Sequence, residues 1–175
     1  MENLVIFISH KLQSRERAMK IAGALSAFGG NRIQVYYSGK YMAGVDWREK
    51  IEKDLSEALW LILLYEGPQV EWDWCLFETG FFRAKMKDSQ ADRLLICLHS
   101  PEHSVPGPLK SFNPVPATTE KLEELFRQIY VDKPWEISPK LFEENADIVN
   151  QLISRIISSV CGTENGFRDV KILIP

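Results

Sequence analysis

The chain is 175 residues long, 45% apolar and 26% charged, which suits one ordinary globular domain and excludes a disordered or low-complexity chain. Its 21 basic and 24 acidic side chains leave a net charge of −3, so no basic surplus exists to neutralise a phosphate backbone and nucleic acid is not an expected partner. The longest strong apolar run, Ala58 to Tyr65, has eight residues, against the roughly 20 that a membrane-spanning helix needs.

The first residues, Met1-Glu2-Asn3 and then a short apolar Leu4 to Ile8, read as neither anchor nor secretory leader. Leu4 to Ser9 (LVIFIS) is a buried strand. A helical pattern follows, with Ala18, Ile21, Ala22, Leu25 and Phe28 recurring at three and four. Gly29-Gly30-Asn31 ends it in the manner of a left-handed cap. Arg32 to Tyr37 is a second strand, and Ser38 to Val45 a Gly-rich loop. Asp46-Trp47-Arg48-Glu49 has the capping-box pattern and opens a helix whose inner stripe is Trp47, Ile51, Leu55 and Ala58. Leu59 to Tyr65 (LWLILLY) is apolar throughout, as expected of a parallel strand covered on both faces. After a turn at Gly67-Pro68, Asp73 caps a helix from about Trp74 to Lys87. Arg93 to Leu98 is the fourth strand, Ser100 to Pro108 a Pro-rich loop, and Asn113 to Ala117 a short fifth strand. Thr119 to Tyr130 is helical, with Leu122, Leu125, Phe126 and Ile129 on one side. Ser138-Pro139 starts a last helix, with Pro at its first position. That helix turns Leu141, Ile148, Val149, Leu152, Ile156 and Val160 inward.

Strands alternating with helices mean βαβ units and a parallel sheet. With right-handed crossovers, the commonest order for five strands is 2-1-3-4-5, the flavodoxin-like doubly wound α/β fold with helices on both faces. Ligands in such sheets bind beyond the carboxyl ends of the strands, where the winding reverses between the first and third. The loop at Ser9-His10-Lys11 and the segment from Tyr65 into the Trp74 helix therefore flank the expected pocket.

Few chemistries survive inspection. Gly39 and Gly44 have phosphate-loop spacing, but Val45 and Asp46 follow where Lys and Ser/Thr are needed. Neither GxGxxG nor GxSxG occurs. Cys75, Cys97 and Cys161 show no Cys-x-x-Cys spacing and read as reduced thiols of a cytoplasmic protein. His10, His99 and His103 make no metal set, because Pro101 separates the two that lie four apart. What stands out is Glu71-Trp72-Asp73-Trp74-Cys75-Leu76-Phe77-Glu78. Trp74 and Glu78 are neighbours on one helix face, near the helix start that borders the expected crevice. An indole can stack on a flat ring, and a carboxylate can stabilise an oxocarbenium-like transition state or hold ribose hydroxyls. A plainer reading stands beside it. Trp74, Phe77 and Phe81 also make a core stripe, and a lone Glu in an early helical turn is commonly a solvated residue. If Glu78 is catalytic, apolar Leu76, Phe77 and Phe82 around it push its pKa up, against ionisation.

In three places the sequence resembles the Toll/interleukin-1 receptor (TIR) domains. Phe7-Ile8-Ser9-His10-Lys11 is similar to the family's first box. Gly44-Val45-Asp46-Trp47-Arg48-Glu49-Lys50-Ile51 is similar to the end of its BB loop and the next helix. Trp74-Cys75-Leu76-Phe77-Glu78 is similar to its Trp-Cys-x-x-Glu helix. The likeness covers roughly Leu4 to Tyr130. Residues 1–160 are taken as the TIR domain, and 161–175 as a C-terminal tail or linker to a following domain, which could be a sensor.

The resemblance implies two kinds of function. Many bacterial, plant and some animal TIR domains cleave NAD at the nicotinamide–ribose bond, giving nicotinamide and ADP-ribose or cyclic forms. Their catalytic glutamate falls on Glu78, and substrate contacts fall on Phe7, Ser9, His10, Lys11, Tyr41, Gly44, Trp47 and Trp74. NAD is then the substrate, and no cofactor or metal is expected. Others, chiefly animal adaptors, only assemble with each other and often lack that glutamate. The family also suggests homo-oligomeric assembly through the BB loop, whose tip here carries apolar Tyr41 and Met42, and a role in signalling or antiviral defence. Of His10, a loop-orienting or substrate-contacting role is expected rather than a general base; Lys11 or Arg15 could meet a pyrophosphate. A nucleoside deoxyribosyltransferase-like enzyme is a further alternative, without support in the boxes.

Overall fold

The computed structural model of the chain describes residues 3–27, 29–38, 47–68, 72–88, 93–131 and 143–162. The apolar runs become strands β1 (Leu4–Ser9), β2 (Ile33–Tyr37), β3 (Trp60–Tyr65), β4 (Leu94–His99) and β5 (Pro114–Pro116). All pair in parallel in one five-stranded sheet of order β2-β1-β3-β4-β5, the doubly wound order the sequence predicts. Every residue of β3 is buried, because a central parallel strand is covered on both faces. Pro114 and Pro116 sit in the edge strand β5, where a missing ladder donor costs least.

Between and after the strands run α1 (Arg15–Ser26), α2 (Trp47–Glu57), α3 (Asp73–Asp88), α4 (Thr119–Tyr130) and α5 (Ala146–Cys161). A right-handed crossover from β1 to β2 puts α1 on one face, and the reversed direction into β3 and β4 puts α2 and α3 on the other. The core divides accordingly. Leu4, Ile6 and Ile8 join Ile62, Leu64, Ile96 and Leu98 beneath α1, α4 and α5. Phe7 joins Leu61, Leu63, Tyr65 and Cys97 beneath α2, α3 and the 3-10 turn Gly107–Ser111. The period-two alternation of β1 thus sends Phe7 and Ser9 toward α3. Among the described residues no helix is long and apolar enough to cross a membrane.

Two sequence expectations change. The glycines after α1 do not form a left-handed cap: Gly29 has φ −80° and leads into a 3-10 turn, Gly30–Arg32. Its lack of a side chain matters for another reason, since a Cβ there would lie 2.5 Å from Cβ of Ile33. The left-handed glycine cap is instead Gly162, φ 72°, at the end of α5. The plainer reading of α3 as an aromatic core stripe holds only in part, since Trp74 and Phe81 are partly buried against the core but Phe77 is not. Buried on α3 are Cys75, Glu78, Thr79 and Phe82, while Phe77 and Leu76 are 40% and 50% exposed. The three aromatics do form a ladder, with ring centroids 5.0 and 6.3 Å apart, along the flank of the helix. The last helix, α5, has Asn145 at its N-cap. Its apolar face follows the expected spacing and packs on α1 and α4. The expectations for Phe28, the Gly-rich loop, Asp46, Ser138-Pro139, Leu141 and residues 163–175 fall outside the described residues.

Candidate active site

β1 ends on Ser9, beside β3 through its pairing with Leu63, at the point where the sheet's winding reverses. α3 starts at Asp73, and its spacing of three and four turns Cys75, Glu78 and Phe82 toward β1 and β3. In that stripe a carboxylate takes an apolar residue's place. Glu78 is 0% exposed, as is Ser9.

A buried carboxylate needs donors. Glu78 has one on each oxygen. The Ser9 hydroxyl donates to Oε2 at 2.5 Å, and the Trp74 indole N–H donates to Oε1 at 2.7 Å. Trp74 reaches it because residues four apart on a helix are adjacent on its surface. Burial pushes the Glu78 carboxyl up and the two donors pull it back, leaving it at about 7. The expected direction holds, but the apolar surroundings differ: Phe82 is buried one turn on, whereas Leu76 and Phe77 face outward. An acid poised at neutral pH suits a group that works in its charged form yet sits in apolar surroundings. The nearby thiols offer no nucleophile. Burial, reinforced by the Glu78 charge, pushes Cys75 up to about 11, and burial pushes Cys97 up to about 12.

The residues after Ser9 hold the loop in place. His10 is buried, with Nδ1 2.6 Å from the Lys11 carbonyl and Nε2 2.7 Å from the Ser38 carbonyl. Carbonyl oxygens only accept, so whichever ring nitrogen carries the proton donates to the carbonyl it faces. These contacts tie the tip of β1 to the end of β2. The Lys11 ammonium lies 4.2 Å from the centroid of the Trp72 ring, which stacks on Tyr65 at 5.1 Å. Arg15 is exposed at the start of α1. Phe7 is fully buried in the core layer beneath the site. Tyr41 and Gly44 lie outside the described residues, as does the side chain of Trp47.

Sequence reasoning missed three neighbours. The Tyr65 hydroxyl and the Trp72 indole N–H are buried here without a hydrogen-bond partner among the described residues. Glu66, just after β3, takes a hydrogen bond from Ser14 and pairs with Arg17 at 2.5 Å. Only the register that sets β3 beside β1 reveals them, although the predicted switch point did point to the segment after Tyr65.

A family model described as TIR domain matches residues 6–130. The chain belongs to the TIR domain family. No curated protein matches it. The TIR match runs from β1 to the last residue of α4 and contains all of the expected site residues from Phe7 to Glu78. Among the described residues of this TIR domain, no group of three or more His, Cys, Asp or Glu side chains is placed to hold a metal.

Proposed function

We propose that this TIR domain is an NAD glycohydrolase that breaks the nicotinamide–ribose bond, with Glu78 as its catalytic residue. The observation that carries the reading is a fully buried carboxylate, held by one donor on each oxygen, at the end of β1 where the sheet's winding reverses. Such sheets bind ligands there.

Oxidised nicotinamide is already a cationic leaving group. The bond from its ring nitrogen to the ribose breaks with both electrons returning to that nitrogen, so no proton donor is required. The barrier is the positive charge that grows on the ribose. An ionised Glu78, held rigidly and away from water, stabilises that charge. Water then adds to the ribose carbon and releases one proton, giving ADP-ribose; an internal nucleophile of the same molecule gives a cyclic form. Ser9, His10, Lys11 and Trp74 border the substrate above the Phe7 layer; Tyr41, Gly44 and Trp47 are the further substrate contacts that the TIR resemblance implies. On this reading the protein works as a homo-oligomer.

The test is direct. Concentrated protein is incubated with NAD, or with nucleosides, and the released base is measured. Nicotinamide from NAD is the expected product, absent with Glu78→Gln. Wild-type protein that releases none at high concentration or with a crowding agent overturns the reading.

A further inference from the structure

Ser9 occupies a core position. It ends β1 fully buried, above Phe7 and paired with Leu63. A buried hydroxyl is costly unless it is bonded, and this one donates to a side chain 69 residues away, Oε2 of Glu78. The second donor, Trp74, belongs to α3 itself and moves with Glu78 wherever the helix goes. Among the described residues, only Ser9 ties this carboxylate to the sheet, and the crevice is defined by the sheet.

We propose that Ser9 is a positioning residue: its hydroxyl locks the Glu78 carboxylate of α3 to the tip of β1, fixing the acid's orientation and favouring its charged form. The consequence for turnover rests on the NAD-cleaving reading; the hold on Glu78 does not. The donor removed is one of the two that pull the Glu78 pKa down against burial. Other titratable groups brought to this layer are Cys75 on α3, Tyr65 on β3, Cys97 on β4, the Lys50–Asp54 pair on α2 and Lys11 after β1.

The experiment uses the full chain as wild type, Ser9→Ala and Ser9→Thr. The Glu78 carboxyl carbon is titrated by NMR after labelling glutamate with carbon-13, its signal assigned by its loss in Glu78→Gln. NAD turnover is followed against pH on the same samples. In Ser9→Ala the titration midpoint is expected to rise by about one pH unit. Turnover at pH 7 then falls about fivefold through ionisation alone, with the deficit shrinking toward pH 9. Ser9→Thr, which keeps a hydroxyl, restores the midpoint. A merely structural serine would alter the melting temperature and leave the midpoint in place. An unshifted midpoint in folded Ser9→Ala overturns the role of Ser9 whatever the turnover. A shifted midpoint in a chain that never releases nicotinamide supports the role of Ser9 and sinks the NAD reading instead.

Discussion

The two faces of the sheet are built from the same strands and differ in what they bury. Beneath α1, α4 and α5 the cluster runs from Leu4 to Val160 in apolar side chains, with Ser159 buried beside it and bonded to the Arg155 carbonyl. Beneath α2 and α3 the layer contains Ser9, Asp54, Glu78 and Thr79 as well, all buried. The first face has the composition of a core optimised for packing. The second carries ionisable groups whose burial is unfavourable unless each finds partners, and those nearest the carboxyl ends of β1 and β3 meet at one carboxylate. Among the described residues, the buried carboxylates Asp54 and Glu78 both lie on the second side.

Four perturbations test that division, from strongest to weakest. Glu78→Gln is expected to cut nicotinamide release by about a thousandfold or more while circular dichroism stays native; turnover within tenfold of wild type would remove Glu78 from the chemistry. On the opposite face, Phe126→Ala leaves a cavity in the fully apolar cluster and should cost about 3–5 kcal/mol in urea unfolding. Its folded fraction should turn over NAD as wild type does, and a parallel loss of activity per folded molecule would break the separation of the two faces.

The third perturbation concerns pH. The Glu78 carboxyl rises from 4.5 to about 7 on folding, so between those values the folded chain keeps a proton that the unfolded chain has lost. Stability therefore falls as pH rises through this window, by up to about 3 kcal/mol once Glu78 is ionised in both states. Glu78→Gln, which retains an acceptor for Trp74, should be more stable than wild type by about that amount at pH 8 and by little at pH 4. Equal melting curves at both pH values would mean that the site carries no such strain. Turnover should move the opposite way, rising with pH through a midpoint near 7, so the form that works is the form that weakens the fold. The smallest effect is expected from Arg17→Ala. Arg17 is 39% exposed where it meets Glu66, and a pair so open to solvent contributes about 1 kcal/mol or less. A larger loss would make the Glu66 contact part of the site's framework.

Much of the fold was legible in the residues. Continuous apolar runs gave parallel strands, their alternation with helical periods gave a parallel sheet, and the commonest order for five such strands is the one observed. The site was legible in outline, since the four-residue spacing of Trp74 and Glu78 puts them together on any helix. The facing of α3 was only half legible: its aromatics offered a core stripe, and Trp74 and Phe81 do pack against the core, but the fully buried face is Cys75, Glu78, Thr79 and Phe82. Hydrophobicity ranks Trp and Phe as inner residues, but their rings also cover a helix flank while remaining partly wet. The glycines after α1 were misread: composition suggested a left-handed turn, but the position requires room beside Ile33.

By itself the sequence determined the order of the elements along the chain, their assembly into a parallel sheet, and the pairing of an indole with a carboxylate. Each follows from local periodicity or from the handedness of crossovers, which need no long-range contact. Only the tertiary structure decided that Ser9 meets Glu78 and that His10 is occupied by two carbonyls. It alone showed that burial, weighed against two donors, leaves the acid poised near neutrality. Those outcomes depend on groups far apart in the chain brought within hydrogen-bonding distance and buried between α3 and the sheet, which no local pattern encodes.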